Sequence, residues 1–441
     1  MNLPELFLAR MKEKLGESFP DFLSAYQNPP VRGLRVNNLK IPREEFLRRF
    51  PYSLAPVPWE ENGFYVQEEK LGAHPYHFAG LYYLQEPSAM CAAPLLGAAE
   101  GERVLDLCAA PGGKTTRLAQ DMKGRGILVA NEYDSVRARA LSQNVERLGV
   151  TNCAVTNADS LRLSERFPAY FDKVLVDAPC SGEGMFKKEP LSVSGWSMEN
   201  VIYCARRQAE ILENAARMLR GGGTLVYSTC TFSIEENEGQ IAAFLNRHSE
   251  FEAVQTHALY PHEVRGEGHF AAVLKKKAGE CGSAKQFAVQ TNKGAERAFA
   301  DFAKDFFAEG KLPFLGKIST LSDGRMYLIP EGMPDFGGIR VLRAGIELGE
   351  WDGKLFKPAH ALAMCLSGGN AAKFVSLGIE QSETYLRGDT VECALANGWC
   401  VVGVEEFPLG MGKIVNGRVK NHLPKGLRKI KFVLKRNRRS R

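Results

Sequence analysis

The sequence of 441 residues predicts an α/β fold built on a mainly parallel sheet. Two observations support this class. Five short apolar runs typical of buried strands recur between residues 100 and 230, and stretches with helical spacing separate most of them. Strands that alternate with helices form βαβ units, and such units give parallel sheets.

The elements of this sheet can be placed in order along the chain. The predicted strands are residues 103–108, 126–132, 153–159, 173–177 and 224–230, with a last strand at 268–275. The predicted helices are residues 134–148, 198–219 and 235–248. Asp134 is placed as the N-cap of the first helix and the glycines at 221–223 as the end of the second. The third opens with acidic residues, which suit a helix N-terminus.

The chain outside this sheet divides into further predicted parts. Residues 1–75 form a leading extension, 76–278 the α/β domain, 279–310 a linker with a helix at 296–307, and 311–378 and 379–441 two parts of a C-terminal region. Short β-like runs dominate that region, at 339–342, 399–402 and 413–420. Asn416-Gly417 in the last run predicts a tight hairpin turn.

Composition indicates an ordinary globular protein, with 44% hydrophobic and 24% charged residues. No apolar run approaches the roughly 18 residues needed to span a bilayer. The N-terminus lacks the apolar core of a signal peptide, so we expect a cytoplasmic protein. The ten cysteines are scattered without a C-x-x-C pair, which predicts reduced thiols and no metal site.

The formal net charge of +6 is unevenly distributed. No acidic residue follows Glu406, so the remainder of the chain is purely basic. Its twelve cations are Lys413, Arg418, Lys420, Lys425, Arg428, Lys429, Lys431, Lys435, Arg436, Arg438, Arg439 and Arg441. A one-sided basic tail predicts a polyanionic partner, most simply nucleic acid, although a solvated terminus without a specific role remains the alternative.

Two cysteines lie at or just beyond the ends of predicted strands. Cys180 lies in Asp177-Ala-Pro-Cys180, and Cys230 lies in Ser-Thr-Cys230-Thr. Ligands of open parallel sheets bind beyond the carboxyl ends of the strands. Two thiols at that edge therefore suggest covalent chemistry on a substrate, whereas each cysteine taken alone fits a buried structural role.

The loop after the first strand and the ends of the next two strands predict a nucleoside-binding site. The loop residues are Cys108, Ala109, Ala110, Pro111, Gly112, Gly113 and Lys114. Glu132 ends the second strand, where an acid binds ribose hydroxyls, and Asp159 ends the third, near the position of an adenine amino group. The loop is neither a Walker A sequence nor G-x-G-x-x-G, which favours S-adenosylmethionine over ATP or NAD.

These segments resemble the RNA cytosine-5 methyltransferases of the NSUN (Nol/Nop/Sun) family. The resemblance covers residues 76–278 and rests on the segments 108–114, 177–184, 228–231 and 85–90. In the C-terminal region, segments 398–402, 407–413 and 420–428 are similar to the PUA-like RNA-binding modules of bacterial small-subunit ribosomal RNA members. Arg32 and Arg35 resemble the RNA-binding extension of the family.

The resemblance implies a Rossmann-like S-adenosylmethionine-dependent methyltransferase that acts on carbon 5 of cytosine in RNA, here 16S rRNA or the small ribosomal subunit. It implies that Cys230 is the nucleophile, that Cys180 serves product release, and that Asp177 positions the base and also touches the cofactor. Lys187 and Lys188 are candidates for phosphate contact, or equally for a solvated loop. A monomer is expected.

Three other functions stay open on the sequence. The catalytic segments do not encode the RNA, so a transfer-RNA cytosine-5 methyltransferase is the nearest alternative. A non-catalytic RNA-binding or ribosome-assembly factor with the same fold is the second, although the intact Cys230 and cofactor loop disfavour it. A NAD-dependent oxidoreductase is disfavoured because the chain lacks G-x-G-x-x-G in the loop.

Overall fold

The structure, a computed structural model, describes residues 2–429. Its N-terminal part holds helices α1 (Glu5–Leu15), α2 (Phe19–Ala25), α3 (Arg43–Arg49) and α4 (Pro75–Phe78), with strands β1 (Gly33–Val36), β2 (Ala55–Val57), β3 (Glu60–Tyr65) and β4 (Tyr82–Leu84). The strands form an antiparallel sheet in the order β2-β3-β1-β4. Helices α1 and α2 pack apart from it, against aromatic residues that follow Cys180 and Cys230 in the chain.

The central part alternates strands and helices. The helices are α5 (Ala92–Leu96), α6 (Gly113–Met122), α7 (Ser135–Arg147), α8 (Ser160–Arg166), α9 (Pro190–Ser194), α10 (Met198–Met218) and α11 (Glu238–Arg247). The strands are β5 (Arg103–Asp106), β6 (Ile127–Asn131), β7 (Cys153–Asn157), β8 (Phe171–Asp177), β9 (Leu219–Thr229), β10 (Phe251–Leu259) and β11 (His269–Lys276).

The central sheet confirms the predicted fold class. Strands β5 to β9 pair in parallel in the order β9-β8-β5-β6-β7, and β11 and β10 extend the β9 side as antiparallel strands. Each face of the sheet is covered by helices and carries its own apolar core. Helix α7 begins as predicted, because the Asp134 side chain accepts bonds from the backbone N–H groups of Val136 and Arg137.

The glycine run and strand β10 differ from the prediction. Helix α10 ends at Met218 and β9 starts at Leu219, so the glycines at 221–223 lie inside a strand and not in a helix cap. Their backbone N–H groups donate to the chain after β11, from Gly221 to Glu280 and from Gly222 to Lys277. Strand β10 was not predicted because most of its side chains are exposed and it lacks a sustained apolar run.

The C-terminal part contains helices α12 (Lys293–Phe306), α13 (His360–Cys365) and α14 (Ile379–Leu386). Its strands are β12 (Lys317–Thr320), β13 (Arg325–Ile329), β14 (Arg340–Ala344), β15 (Ile346–Trp351), β16 (Phe356–Pro358), β17 (Phe374–Leu377), β18 (Val391–Glu392), β19 (Gly398–Val404), β20 (Phe407–Val415) and β21 (Arg418–Asn421). They form two small sheets, in the orders β12-β13-β15-β16 and β17-β19-β20-β21-β18.

Two strands of this part cross the domain boundaries proposed from the sequence, which stay predictions. Strand β14 pairs antiparallel with β7 and completes the central sheet as its eighth strand, although it comes long after the α/β domain in the chain. Strand β17 precedes residue 379 but belongs to the last sheet, where it pairs in parallel with β19.

The predicted hairpin forms between β20 and β21. Val415 pairs with Arg418 across a two-residue turn. Asn416 and Gly417 both have positive φ, 50° and 75°, which matches the right-handed twist of the flanking strands. Six of the twelve tail cations, Lys431 to Arg441, lie outside the described residues. Within residues 2–429, no helix combines the length and apolarity that a membrane crossing requires.

Candidate active site

The structure brings the two candidate cysteines together. Strands β8 and β9 are parallel neighbours, and Asp177 pairs with Ser228, so Cys180 and Cys230 emerge side by side at one edge of the sheet. Both are free thiols, and their Sγ atoms are 3.2 Å apart. This arrangement requires the two loops after β8 and β9 to be held tightly against each other.

Glu236 provides one of the links between these loops. It is fully buried and accepts hydrogen bonds from Ser181, which donates its backbone N–H at 3.0 Å and its hydroxyl at 2.5 Å. Gln208 of α10 donates a third at 2.8 Å. Burial raises the pKa of Glu236, and these donors offset part of that rise. The residue after Cys180 is therefore tied to the loop that carries Cys230.

Glu183 provides the second link, in the opposite direction. It lies in the loop of Cys180 and accepts from the backbone N–H of Phe232, the hydroxyl of Ser233 and the indole N–H of Trp196, each at 2.9 Å. The backbone N–H of Gly184 donates to the carbonyl oxygen of Cys230 at 2.9 Å. Sequence analysis placed Glu236 among the acids that open a helix, but helix α11 begins at Glu238 and Glu236 binds Ser181 instead. Glu183 was not assigned a role, and its position inside the 177–184 segment was the available signal.

Asp177 and Lys114 form an ion pair beside the thiols, with 2.8 Å between Nζ and Oδ2. Ser228 donates its hydroxyl to Oδ1 of the same carboxylate at 2.8 Å. Burial alone would raise the pKa of Asp177, but the Lys114 charge and these hydrogen bonds lower it below its usual value. Asp177 is therefore ionised at neutral pH, and 31% of its side-chain surface is exposed.

Cys180 and His269 remain neutral at this edge. The hydrogen bond to Cys230 and then burial raise the pKa of Cys180 well above the ordinary thiol value, so Cys180 carries a proton at neutral pH. Burial and the charge of Lys114 lower the pKa of His269 to about 3. Its Nε2 lies 3.8 Å from Oδ1 of Asp177. Sequence analysis did not single out His269.

The predicted nucleoside-binding residues also meet at one edge of the sheet. The loop 108–114 follows β5, Glu132 follows β6 and Asp159 follows β7, and these three strands are parallel neighbours. Glu132 accepts from the backbone N–H of Asp134 at 2.8 Å. Asp159 uses Oδ1 to cap helix α8 and accepts from Arg162 at 2.8 Å. Burial raises the pKa of Cys108, which is thus a neutral part of the loop.

These residues fit S-adenosylmethionine by the chemistry of their donors and acceptors. Gly112 has a φ of 109°, which lets the loop turn directly from β5 into α6. Helix α6 presents its N-terminal end to the loop, which suits the carboxylate of an amino-acid group. Glu132 is a carboxylate acceptor for ribose hydroxyls. Asp106, at the end of β5 beneath the loop, is fully buried, and among the described residues its Oδ1 has no hydrogen-bond partner.

The structure corrects two sequence interpretations. Arg35 does not face RNA: it is 1% exposed and donates to Gly113 and Thr116 at the cofactor loop. Lys187 is unavailable for phosphate because its buried side chain pairs with Glu267 at 3.2 Å. Both side chains are buried against other parts of the chain, Arg35 against the start of helix α6 and Lys187 against Glu267.

Arg32 and Lys188 keep their exposure. Arg32 pairs with Glu69 at the surface, and Lys188 is solvent-exposed. The roles expected of them from sequence stay predictions.

A sheet of this order, with a glycine loop after its first strand and carboxylates after the next two, defines a methyltransferase that uses S-adenosylmethionine. The chain belongs to the family of the 16S rRNA methyltransferase RsmF. The family model described as 16S rRNA methyltransferase RsmB/F matches residues 93–275, and models of the RsmF N-terminal domain, first C-terminal domain and PUA domain match residues 3–87, 301–366 and 372–429.

Relatives match this chain along nearly its whole length. The ribosomal RNA small subunit methyltransferase F of Vibrio cholerae is 35% identical over 97% of this chain and 98% of its own. That of Klebsiella pneumoniae is 34% identical over 96% of both chains. The four parts of this protein therefore occur together in its relatives.

Two solved structures from Pyrococcus horikoshii share the fold. A methyltransferase homolog is 32% identical with a TM-score of 0.56, over 62% of this chain and 95% of its own. NSun6 with SFG has a TM-score of 0.57 and 23% identity, over 63% of this chain and 99% of its own.

Replacing Gly184 with alanine should disrupt the site more than the fold. A Cβ there would lie 2.9 Å from the Gly268 carbonyl oxygen and 3.0 Å from that of Cys230, so the Cys230 loop must move. We expect the methyl-transfer rate to fall at least about tenfold. Gly195→Ala is the matched control, because its Cβ would meet its nearest atom at 3.6 Å. Equal rates for the two variants would contradict this account.

Asp106 should make stability fall as pH rises. Burial raises the pKa of Asp106 to about 7, so the folded chain retains a proton that the unfolded chain releases near pH 4. The folded state binds more protons between these values, and stability is lost across that window, by at most about 4 kcal/mol. Between pH 4.5 and pH 8, the free energy of unfolding measured in urea should fall less for Asp106→Asn than for the unchanged protein. Identical pH dependence in both proteins would refute the assignment.

Proposed function

We propose that this chain methylates carbon 5 of a cytosine in 16S ribosomal RNA through a covalent adduct with Cys230. The observation that carries the proposal is the pair of free thiols 3.2 Å apart, next to the ionised Asp177 and the cofactor loop. Carbon 5 of cytosine is a weak nucleophile. Addition of a thiolate to carbon 6 makes carbon 5 enamine-like and able to accept a methyl group.

The cofactor supplies the methyl group on a positively charged sulfur. In the proposed reaction, the Cys230 thiolate forms a bond to carbon 6, and carbon 5 takes the methyl group as the bond between that methyl and the cofactor sulfur breaks, which leaves a neutral thioether. Carbon 5 then carries both its original proton and the new methyl group. Loss of that proton restores the double bond between carbons 5 and 6 and expels the Cys230 thiolate. The enzyme thus needs one sulfur that attacks and one group that assists removal of the proton.

The state of Cys180 supports its assignment to the release step. Its hydrogen bond to Cys230 is the largest cause of its raised pKa. A bond between Cys230 and carbon 6 removes that cause, so Cys180 becomes easier to deprotonate at the stage when the carbon-5 proton must leave. Either sulfur can donate the shared hydrogen bond, so the choice of Cys230 as the attacking sulfur comes from the family resemblance.

Asp177 and Lys114 are suited to hold the base. The carboxylate accepts hydrogen bonds and the ammonium donates them, and the polar edge of cytosine needs both. The pair is ionised because each charge supports the other in a mostly buried setting. The target base has to be unpaired or flipped to reach them, since a stacked base hides its ring faces.

The choice of 16S rRNA as substrate rests on the relatives. Proteins that match this chain over nearly all of its length are named ribosomal RNA small subunit methyltransferase F. Transfer RNA is the alternative within the same chemistry. Methylation assays on purified small subunits and on bulk transfer RNA, run side by side, decide between them, and sequencing of the product identifies the modified base.

Substitution of the two cysteines should give opposite outcomes. Cys230→Ala removes the attacking sulfur, so methyl transfer should fall below detection and no RNA adduct should form. Cys180→Ala keeps the attack but slows release, so a protein–RNA adduct resistant to denaturant should accumulate on gels. Cys204→Ala, a buried cysteine outside the pair, is the control. Normal turnover by Cys230→Ala would exclude the proposal.

The end of the tail should contribute RNA affinity through phosphate contacts. Deletion from residue 413 would remove β21 and part of β20, so the informative deletion is 430–441, which carries six cations. If all six meet phosphates, the slope of log affinity against log salt should shrink by about 4 to 5.

A chain of full length with glutamine at these six positions controls for the loss of length, and it should show the same smaller slope. An unchanged slope in both variants would assign RNA binding to other surfaces.

A further inference from the structure

Strands of the N-terminal sheet contact helix α6, which begins at the end of the cofactor loop 108–114. Arg35 of β1 donates from Nη2 to the Gly113 carbonyl oxygen at 2.7 Å and to the Thr116 hydroxyl at 2.8 Å. Thr116 in turn donates to the Gly112 carbonyl oxygen at 2.8 Å. A single guanidinium from the N-terminal part therefore reaches the two glycines of the loop.

Further contacts join the N-terminal sheet to helix α6 along its length. Glu60 of β3 pairs with Arg117 at 2.6 Å, and Gln120 donates to the Val36 carbonyl oxygen at 3.2 Å. Tyr83, the cross-strand neighbour of Arg35, lies so near the loop that a Cβ on Gly113 would come within 3.0 Å of its ring. Three of the four strands of the N-terminal sheet thus contact one turn-and-helix unit.

Burial of Arg35 at this position costs folding free energy. It is 1% exposed, and within residues 2–429 its Nε and Nη1 have no hydrogen-bond partner. Burial lowers its pKa to about 10, so it remains charged at neutral pH. A buried cation with unused donors costs stability relative to an apolar side chain of similar size. The two hydrogen bonds that it does make, to Gly113 and Thr116, therefore point to a role at the site.

The bond to Gly113 has a direct effect on the cofactor side of the loop. The peptide unit between Gly113 and Lys114 is planar, so fixing its carbonyl oxygen also fixes the direction of the Lys114 N–H. That N–H belongs to the first turn of α6, where helix N–H groups have no partner within the helix. Lys114 also carries the ion pair with Asp177.

We propose that Arg35 is a positioning residue for the cofactor loop, and that the N-terminal sheet sets the affinity for S-adenosylmethionine by holding Gly113 and Thr116. This differs from the role the sequence suggested, in which Arg35 contacts RNA. It does not depend on the cytosine chemistry proposed above, because cofactor binding is measured without RNA.

The test compares Arg35→Met, Arg35→Lys and the control Arg32→Met by calorimetry with S-adenosylmethionine in the absence of RNA. Met keeps the length of the side chain without its charge or donors, and we expect the Kd to rise at least about tenfold. Lys keeps one donor and should give an intermediate Kd. Arg32 lies at the surface in a pair with Glu69, so its loss should leave the Kd unchanged.

Melting temperature and steady-state kinetics separate this positioning role from a purely structural role and from a contact with RNA. Under the proposal, the KM for S-adenosylmethionine rises in Arg35→Met and the KM for RNA does not. A lower melting temperature with an unchanged Kd would assign Arg35 to stability alone and overturn the proposal. A higher KM for RNA with an unchanged cofactor Kd would restore the RNA contact and overturn it as well. If Arg35→Met does not fold, the same three quantities measured for Arg35→Lys decide between these outcomes.

Discussion

The site depends on two buried carboxylates that hold two loops together. Glu236 and Glu183 each belong to one loop and bind donors of the other, so the loops after β8 and β9 cannot separate without breaking hydrogen bonds to buried carboxyl groups. Leaving a buried carboxylate without donors costs more folding free energy than its hydrogen bonds contribute when they are made. The two loops are therefore expected to stay together or to separate as a unit. The sulfur atoms keep their short separation because this polar frame leaves them little freedom.

Sequence reasoning found the residues whose positions follow from strand ends. Cys230, Glu132 and Asp159 each end a predicted strand and Cys180 lies three residues beyond one, and parallel strands deliver their ends to one edge. The roles of attacking and releasing sulfur did not follow from that rule and came from resemblance. The structure adds that the two sulfurs share one hydrogen bond, in which either can be the donor, and that this bond and burial raise the pKa of Cys180.

The roles that sequence reasoning missed or misassigned depend on contacts between positions distant in the chain. Glu236 lies 55 positions from Ser181, and Arg35 lies 78 positions from Gly113. An arginine in a short strand is read as a surface cation unless the partner that covers it is known. Strand β14 was recognised as a β-like run, but its place in the central sheet depends on pairing with β7 and not on its own composition.

Strand β14 has a consequence for how the chain is made. The edge of the central sheet at β7 stays open until residues 340–344 have emerged from the ribosome, long after the methyltransferase segment has been synthesised. An open edge strand exposes unpaired N–H and C=O groups that recruit strands of other chains. The central sheet is therefore complete only when a late C-terminal segment has been made, and a chain cut before that segment would keep every candidate site residue yet leave a sheet edge prone to aggregation.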